Sequence, residues 1–385
     1  MYQLASFSTW ALSFIVLRTV ESQTDILERC CYGDKSVPHG SVVFSHPERC
    51  FQLVCQNGRI RPVYVNRKGD KYCCELNGRL IPNGVELRGN CMVMLCEAGI
   101  WEPADKIEDC CSHCSLYNDP HIRTLDGTRY DWHGRCNYSV AQTYYTTKPD
   151  IGVFSQFKSC NGIASCLTHT TYRNDPNTII TLDNGDVSRV KVNGYENEIE
   201  SVVNQLTSED GTVPVLAWKH ENCIFLMGSS KLLILHCPHR LDIWAHKFHT
   251  ERLNGLCGHF NGLPEDDFTD RDGSIHPISY WPMTFPHSWL TSEQSARVCN
   301  LNLECPGCLE ENTTDPCEAS QSRRDFFDAL CREPLRHLEK TKDFEQYMET
   351  CAFDLCAIYQ YGGTDTDARE WVREVGRLVE VVKDF

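Results

Sequence analysis

The sequence predicts a multidomain, mainly β protein: small disulfide-rich modules, then a β-sandwich-like domain, then a small α-helical, disulfide-rich module. Three observations support this fold class. Ten cysteines recur with the same spacing in two units between residues 30 and 111. Residues 115–298 contain alternating apolar and polar stretches joined by Asn-Gly turns, which are typical of β-hairpins. Beyond Cys299, apolar residues recur at helical spacing.

The N-terminal residues are predicted to be a secretory signal peptide. The apolar run Trp10–Leu17 is followed by the small-residue ending Val20-Glu21-Ser22, which suits cleavage after residues 1–22. The run is well short of the roughly 20 apolar residues that span a membrane. All 24 cysteines lie at or after Cys30, and this number in a signal-bearing chain indicates disulfides. We therefore expect a secreted, extracellular protein.

Charge and motif content exclude several classes of function. The net charge of −16 and the pI near 5.4 argue against a nucleic-acid partner and against a strongly heparin-binding surface. The sequence has no Gly-x-Ser-x-Gly motif, phosphate-cradling loop or paired-carboxylate constellation, so we expect no enzyme. The sequons that begin at Asn137 and Asn312 would be glycosylated in a secreted chain.

Residues 23–114 contain two cysteine-rich repeats. Each repeat has vicinal cysteines at its ends and two cysteines separated by four residues between them, in the order Cys30-Cys31, Cys50, Cys55, Cys73-Cys74, Cys91, Cys96, Cys110-Cys111. Units of about 40 residues bury too little core to be stable without cross-links, and the spacing does not suit zinc. We expect all ten cysteines to be paired. The repeats loosely resemble von Willebrand factor type C modules.

Residues 115–298 are predicted to form the all-β domain. The alternating segment Val187–Val192 ends at the turn Asn193-Gly194, a strong short-range hairpin signal. A second hairpin is predicted around a turn rich in glycine and serine. Centring that turn places Cys223 opposite Cys237 on neighbouring strands, within reach of a disulfide.

Residues 299–358 are predicted to form the helical module. Its apolar residues follow helical spacing, namely Phe326, Phe327, Leu330, Leu335 and Leu338, then Phe344, Tyr347 and Met348. Six cysteines from Cys305 to Cys356 would cross-link the helices. In an oxidising compartment we interpret Cys305-Pro306-Gly307-Cys308 as structural rather than as an exchange site. We interpret residues 359–385 as a charged tail that is truncated or not authentic.

Two segments of the β domain resemble a known family. The first is Asp119-Pro120-His121-Ile122-Arg123-Thr124-Leu125-Asp126-Gly127. The second is Asn254-Gly255-Leu256-Cys257-Gly258-His259-Phe260-Asn261-Gly262, which closes on Asp266-Asp267. Together they resemble the start and the end of a von Willebrand factor type D domain. In mucins, zonadhesin-like proteins and growth-factor regulators, such a domain is followed by a cysteine-rich helical module, as would be the case here.

The resemblance implies a set of disulfides. The implied pairs are Cys114–Cys257, Cys136–Cys299 and Cys160–Cys166. A further pair of the family would join the positions at which this chain has Asn254 and Tyr145. Their joint replacement leaves no orphan thiol, and it excludes dithiol–disulfide exchange at this motif.

The type D resemblance also suggests a structural calcium site. Glycines let the second segment fold back tightly, so that oxygens converge as a hard cation requires. The expected ligands are Asp126, Asn261, Asp266 and Asp267, with a backbone carbonyl near Leu263. The ion would tie the two ends of the domain together, although His259 replaces an asparagine usual in the family. The alternative is an acidic turn held by capping and Asx hydrogen bonds.

The Asp119-Pro120 peptide bond supports a separate hypothesis. Some mucin-type relatives cleave themselves at the Asp–Pro bond of a Gly-Asp-Pro-His sequence under mild acid. In this chain Asn118 replaces the glycine. We therefore favour an ordinary strand-entry turn over autocleavage, because proline is common in such turns.

A run of histidines surrounds Cys237: His236, His239, His246 and His249. Imidazole is the commonest metal-binding side chain, so a zinc or copper site is one hypothesis. The spacing does not require the four rings to meet, and no carboxylate pattern accompanies them. We favour surface or half-buried side chains without a metal.

Two functions follow from the order of the modules. It resembles the crossveinless-2, BMP-binding endothelial regulator and kielin/chordin-like group, which implies a secreted modulator of BMP/TGF-β-type growth factors with residues 30–114 facing the ligand. The candidate ligand contact comprises Ile60, Val63, Tyr64 and Val65. The alternative is a calcium-stabilised structural component of extracellular matrix, mucus, egg coat or clot. Extracellular proteins are the expected partners in both cases.

Overall fold

The computed structural model describes residues 29–33, 35–65, 72–88, 90–118, 120–145, 149–161, 164–184, 186–200, 202–207, 215–279, 282, 284–291, 317, 320–340, 344–360 and 362–380. The predicted signal peptide lies outside them. The predicted fold class is confirmed, because the chain is mainly β-sheet, rich in disulfides, and ends in a small disulfide-linked helical part. No helix in these segments is long and apolar enough to cross a membrane.

The chain divides into two compact units, Met1–Leu87 with Met94–Glu102, and Arg88–Val93 with Pro103–Phe385. Strands of the cysteine-rich repeats are β1 (Cys30–Tyr32), β2 (Lys35–Val37), β3 (Val42–His46), β4 (Phe51–Gln56), β5 (Arg59–Tyr64), β6 (Cys73–Leu76), β7 (Arg79–Pro82), β8 (Glu86–Leu87), β9 (Met92–Glu97) and β10 (Ile100–Ile107). They form the sheets β1-β2, β3-β4-β5, β6-β7 and β8-β9-β10. A 3₁₀ helix, Pro47–Arg49, precedes β4.

Disulfides hold these small sheets together. Within the first unit the bonded pairs are Cys30–Cys55, Cys50–Cys73 and Cys74–Cys96. The apolar core around them is small: Cys50, Cys73 and Leu80 are buried, and Val65 packs against them. Because so few apolar side chains are buried, the cross-links supply most of the stability of this unit.

The prediction that all ten repeat cysteines are paired is wrong. Cys91 is bonded to Cys111 in the second unit, while Cys31 and Cys110 have free thiols. Successive side chains of a strand point to opposite faces. When Cys30 of β1 faces Cys55, its neighbour Cys31 therefore faces solvent.

The second unit contains two large antiparallel sheets. Their strands are β11 (Cys111–Tyr117), β12 (His121–Arg123), β13 (Arg129–Asp131), β14 (Cys136–Thr143), β15 (Gly152–Asn161), β16 (Ala164–Asp175), β17 (Thr178–Asp183), β18 (Asp186–Val192), β19 (Tyr195–Glu198), β20 (Asn204–Leu206), β21 (Val215–His220), β22 (Cys223–Met227), β23 (Leu232–Cys237), β24 (Arg240–His246) and β25 (Leu253–Asn254). The first sheet has the order β13-β12-β11-β24-β23-β22-β21-β20, and the second β19-β18-β17-β16-β15-β14-β25. Apolar side chains of both sheets form one buried core.

Both predicted hairpins are present. The segment 187–192 lies in β18, and Asn193 adopts the positive φ that the following turn requires. In the second hairpin Ile224 of β22 lies opposite His236 of β23. Cys223 and Cys237 are bonded across this pair of strands, with their Cα atoms 4.3 Å apart.

The helices are α1 (Thr284–Ser288), α2 (Gln321–Leu335), α3 (Phe344–Gln360) and α4 (Asp365–Glu380). Short 3₁₀ helices span Lys247–His249, Pro264–Asp266 and Arg336–Leu338. The Ser320 hydroxyl caps α2 by accepting a hydrogen bond from the N–H of Arg323. Disulfides Cys331–Cys351 and Cys317–Cys356 staple α2, α3 and the segment before α2. Cys305 and Cys308 lie outside the described residues.

Two expectations for the helical module are corrected. Helix α4 buries an apolar stripe, Ala368, Val372, Val375 and Val379, in the same core as α2 and α3. The module therefore extends through α4, and residues 365–380 are not a free tail. Phe326 is 53% exposed whereas Phe327 is buried, because side chains about 100° apart on α2 fall on different sides of the boundary between core and solvent.

His236 of β23 introduces a pH-sensitive element into the apolar core. The side chain is fully buried, and neither ring nitrogen has a hydrogen-bond partner among the described residues. Burial lowers the pKa of His236 from 6.5 to about 4, against the opposing effect of the nearby Asp183. The folded state therefore holds a neutral ring at pH values at which the unfolded chain already binds a proton.

We predict that His236 destabilises the fold by up to about 3 kcal/mol as the pH falls from 6.5 to 4. His236→Met should remove this part of the acid sensitivity, which denaturant unfolding of both proteins at pH 7 and pH 4.5 would measure. His39→Met, at an exposed position, is the matched control. Equal loss of stability on acidification in the wild type and in His236→Met would contradict the prediction.

Candidate functional site

One loop ties together the two sheets of the β domain. This loop, residues 254–267, is called the corner loop below. The N–H groups of Leu256 and Cys257 donate to the carbonyl oxygens of Ser139 and Val140 in β14, at 3.0 and 2.8 Å. The Cys257 carbonyl accepts from the Leu125 N–H at 3.0 Å. Cys257 also forms a disulfide with Cys114 of β11, so the loop is joined to a strand of each sheet.

Two glycines let the corner loop approach its neighbours closely. Gly255 has φ +148°, and a Cβ there would lie 2.5 Å from the carbonyl oxygen of Val140. Gly258 has φ +81°, and a Cβ would lie 2.1 Å from Oδ1 of Asp267. Any other residue would clash at both positions and would strain the backbone. The glycines of the motif therefore serve close packing as well as turning.

The five predicted calcium ligands lie together at this corner. Oδ2 of Asp126 accepts hydrogen bonds from the backbone N–H groups of Asn261 and Gly262, at 2.8 and 2.7 Å. The side-chain amide of Asn261 donates to Oδ2 of Asp266 at 2.7 Å. Oδ1 of Asn261 accepts from the N–H of Leu263 at 2.8 Å. The structure thus brings Asp126 to a loop more than a hundred residues away in sequence.

Two carboxylate oxygens at the corner have no compensating partner. Oδ2 of Asp267 accepts from the Thr124 hydroxyl at 2.6 Å. Oδ1 of Asp267 and Oδ1 of Asp266 are buried without a hydrogen-bond partner in the described part of the chain. Burial raises the pKa of Asp267 to about 7, the threonine hydrogen bonds lower it, and the Asp126 carboxylate raises it further. This environment is unfavourable for a bare carboxylate and favourable for a bound cation.

Carboxylates alone do not complete a cation site here. Across the described segments, no three His, Cys, Asp or Glu side chains converge closely enough to hold a metal ion. An ion at the corner would need the uncompensated oxygens of Asp266 and Asp267 together with neutral oxygens, which Ca²⁺ accepts readily. The Asn261 amide and the Leu263 carbonyl supply such oxygens. The residues present therefore fit a calcium ion if Asn261 exchanges its hydrogen bonds for a bond to the ion.

His259 joins the two positions at which a disulfide was expected to be lost. Its Nδ1 forms a hydrogen bond with Oδ1 of Asn254 and lies 3.3 Å from the Tyr145 hydroxyl. The Tyr145 and His259 rings are also stacked, with centroids 6.4 Å apart. Asn254 and Tyr145 thus both contact one ring, and non-covalent contacts replace a cross-link at this end of the corner loop.

Several other predicted site residues are only partly described. Cys136 and Cys166 are disulfide-bonded, but Cys299 and the side chain of Cys160, their expected partners, fall outside the described structure. Asn137 is exposed on β14, where a glycan would have access to solvent. Asn312 and Asp119 lie outside the described residues, so glycosylation at the former and autocleavage at the latter stay predictions.

The predicted ligand contact is not one exposed surface. Only Tyr64 is well exposed, at 72%. Ile60 and Val63 are half-buried and lie on opposite faces of β5, because side chains alternate along a strand. Val65 packs against the small core of the first unit. The four side chains therefore do not share one exposed face, and a ligand contact at these residues stays a prediction.

The four histidines around Cys237 have separate structural roles. His249 is buried like His236, and its Nε2 lies 2.6 Å from the Ser230 carbonyl oxygen. Nδ1 of His246 accepts from the Phe248 N–H and so caps a 3₁₀ helix. His239 has a positive φ, and its N–H donates to the Asn184 side chain. The expectation of surface or half-buried rings is therefore wrong for His236 and His249, which are both buried.

A buried polar cluster, not foreseen from the sequence, fastens the helical module to the β domain. We call it the clasp; its members are Asn118, His121, Asp131, Asp354 and Trp371. The His121 ring contacts Asp131 through Nδ1 at 2.7 Å and Asp354 through Nε2 at 2.9 Å. The other Asp354 oxygen accepts from the side chains of Asn118 and Trp371, both at 2.9 Å. His121, Asp131 and Asp354 are each at most 3% exposed.

The clasp has a consequence for the charge of His121. A neutral imidazole has one N–H, but both ring nitrogens of His121 face carboxylate oxygens. When both carboxylates are ionised, both contacts are hydrogen bonds only if the ring is an imidazolium, which then balances two buried carboxylates. The charges stabilise one another only while the helical module is docked. The Asp-Pro-His signature therefore has a structural function at the interface.

A second ion pair flanks the clasp. Arg240 of β24 is fully buried and donates to Asp242 at 2.6 and 2.9 Å and to the Tyr347 hydroxyl of α3 at 3.3 Å. Burial alone would raise the pKa of Asp242, but the Arg240 guanidinium and a hydrogen bond from His113 lower it. No local sequence pattern indicates the contact between His121 and Asp354, since these residues lie 233 positions apart.

Comparison with known proteins identifies the β domain. Residues 114–274 match the von Willebrand factor type D domain. The chain is 24% identical to mucin-2 of Rattus norvegicus over 74% of its length, and 23% identical to human mucin-5B over 80%. It is also 24% identical to SCO-spondin of Rattus norvegicus over 74%. The chain spans less than a fifth of the length of these relatives, at 18%, 5% and 5%.

These similarities confirm the type D domain and the extracellular location. The type D match spans the corner loop and the β11 cysteine that is bonded to it. The eight disulfides between described residues agree with a secreted chain. These similarities do not show that the repeats are type C modules or that the chain resembles the BMP-regulator group.

We predict that Asp354→Asn destabilises the second unit by about 3 kcal/mol. The NH2 of the introduced asparagine would face the hydrogen-bond donors of Asn118 and Trp371, and His121 would be left with only one carboxylate. Denaturant unfolding at pH 7 measures the loss, and limited proteolysis should show earlier release of the helical module. Glu349→Gln, an exposed change on the same helix, is the control. A loss below about 0.5 kcal/mol would contradict the importance of the clasp.

Proposed function

Because residues 114–274 form a von Willebrand factor type D domain, we propose that the chain is a non-catalytic structural component of an extracellular matrix or mucus layer. The observation that supports this proposal is the way in which the domain is closed and joined to its neighbour. Its two ends are cross-linked at Cys114–Cys257, and a helical module is fastened to it by the clasp. Such a cross-linked unit suits a structural building block, and the mucin and SCO-spondin relatives support the same class of protein.

The proposed component uses calcium to stabilise the corner loop. The uncompensated oxygens of Asp266 and Asp267 would bind the ion, with Asp126, the Asn261 amide and the Leu263 carbonyl as the other expected ligands. A divalent cation would offset the electrostatic penalty of the buried Asp267 carboxylate, whose pKa the neighbouring Asp126 raises further. Its role would be structural, since nothing at the corner requires it to activate a substrate.

Calcium should raise the thermal stability of the second unit. At a concentration one hundred times the dissociation constant, the ion would add about 2.7 kcal/mol, which corresponds to several degrees in Tm. Asp267→Asn should abolish this increase, whereas Glu265→Gln, an exposed change in the same loop, should retain it. Calorimetry in calcium and in EDTA measures both. An unchanged calcium response in Asp267→Asn would exclude the site.

A modulator of BMP/TGF-β-type growth factors is the second candidate function. It is supported by the exposed Tyr64 at the end of β5, with exposed Arg59 and Arg61 on the same strand. Exposed tyrosine and arginine side chains are frequent in protein–protein hot spots. The similarity to mucins favours the structural proposal over this one.

Cell fractionation tests the structural proposal. The full chain, secreted by cultured cells that deposit a matrix, should be retained in the insoluble matrix fraction and released by EDTA. Asp267→Asn should be retained less well, and Glu265→Gln as well as the wild type. Recovery of the wild type entirely in the medium, together with saturable binding to purified BMP-type dimers, would contradict the proposal and support the second candidate.

A further inference from the structure

The first cysteine-rich repeat presents an uncovered apolar sheet face. In the register of β3, β4 and β5, Phe51 lies opposite both His46 and Tyr64, and Leu53 lies opposite both Phe44 and Pro62. Directly opposite side chains share a face of the sheet. We call this set the open face; its members are Phe44, His46, Phe51, Leu53, Pro62 and Tyr64. The other face is in part covered, because buried Gln52 donates to the Gly78 carbonyl oxygen of the β6–β7 turn.

Aromatic rings make up most of the open face. Neighbouring rings of Phe44, His46, Phe51 and Tyr64 have centroids 5.5 to 6.3 Å apart, so they form a continuous strip. Phe44 is 42% and Tyr64 72% exposed. Single exposed apolar residues are common on soluble proteins, but a contiguous strip of this kind marks an interaction site.

The second repeat provides an internal comparison. Its strand β9 follows Cys91 as β4 follows Cys50, with the same spacing to the next cysteine. Met92 and Met94 therefore correspond to Phe51 and Leu53. The two methionines are 1% and 0% exposed, whereas Phe51 and Leu53 are only half-buried. The equivalent sheet face is closed to solvent in the second repeat and open in the first. Exposure of this face is therefore not common to both repeats.

Charge distinguishes the two repeats as well. Residues 29–71 contain eight Lys and Arg and three Asp and Glu, a net charge of +5. Residues 72–111 contain three Lys and Arg and seven Asp and Glu, a net charge of −4. Since the whole chain carries −16, everything outside residues 29–71 carries −21. Arg49, Arg59 and Arg61 of the basic repeat are exposed.

We propose that the open face is a docking surface for a second copy of this chain, which binds through its acidic surface. The proposal rests on the structural function proposed above and names the contact by which the building blocks associate. An apolar strip on a basic module matches an acidic partner in charge, and the chain itself provides that partner. The contact joins unlike surfaces, so every associated pair retains one free surface of each kind, and successive copies form open chains.

Analytical ultracentrifugation of the purified full chain tests this contact. The average mass should rise with concentration up to about 100 µM, the range in which weak interfaces associate. High salt should weaken the association about tenfold, because it screens the attraction between basic and acidic surfaces. The double variant Phe44→Ser/Tyr64→Ser should remain monomeric. Tyr195→Ser, which removes an aromatic side chain that is 70% exposed outside the repeats, should associate like the wild type.

Mixing experiments test the head-to-tail geometry. The double variant retains the acidic surface, so it should cap wild-type chains and lower their average mass. Arg59→Glu/Arg61→Glu should weaken association without altering the apolar strip, and unchanged unfolding curves would show that the variants fold. A wild type that stays monomeric, or a double variant that associates equally well, would overturn the inference. Binding of a growth factor to the open face of a monomeric chain would also overturn it.

Matrix retention separates this inference from the proposed function. If the wild type is retained in the matrix but is monomeric in solution, the structural function stands and the docking surface is wrong. If the wild type associates through the open face but is never retained in a matrix, the contact exists and the structural function is wrong.

Discussion

The closure of the type D domain at the corner loop is the constraint on which the rest of its structure depends. Cys257 is tied to β11 by a disulfide and to β14 by a backbone hydrogen bond. These are strands of different sheets, so one residue fixes their separation. The loop can pass this closely only because Gly255 and Gly258 lack side chains. The position of Asp126 against the loop follows from this closure, and so does the burial of Asp267.

The same closure places β11 so that the helical module can dock. Tyr117 and Asn118 lie at the end of β11 and in the turn after it, and both contact α3, through Thr350 and Asp354. Arg240 of the neighbouring strand reaches Tyr347 of the same helix. Asn118 and Arg240 thereby gain hydrogen-bond partners at the end of β11 and the start of β24, which reduces the cost of burying polar groups in this interface. The helical module is thus part of the second unit energetically and is not a separate appendage.

Local patterns were sufficient to predict some features of this chain and insufficient for others. The hairpin joined by Cys223 and Cys237 could be predicted because its turn and register lie within fifteen residues. The role of His121 could not be predicted, since its partner Asp354 is 233 residues away and carries no motif. The faces of β5 were assigned wrongly because hydrophobicity alone does not show which side of a strand is covered.

The replacement of a disulfide near the corner loop explains why an ion would matter there. A cross-link between positions 254 and 145 would restrain the unfolded chain and the loop together. Asn254, Tyr145 and His259 offer only hydrogen bonds and a stacked ring pair in its place, contacts worth about 1 kcal/mol each. At the other end of the loop, Asp266 and Asp267 have buried oxygens without partners. A bound calcium ion would convert that unfavourable end into the stronger restraint, so the loop would be held by cysteine at its centre and by metal at its end.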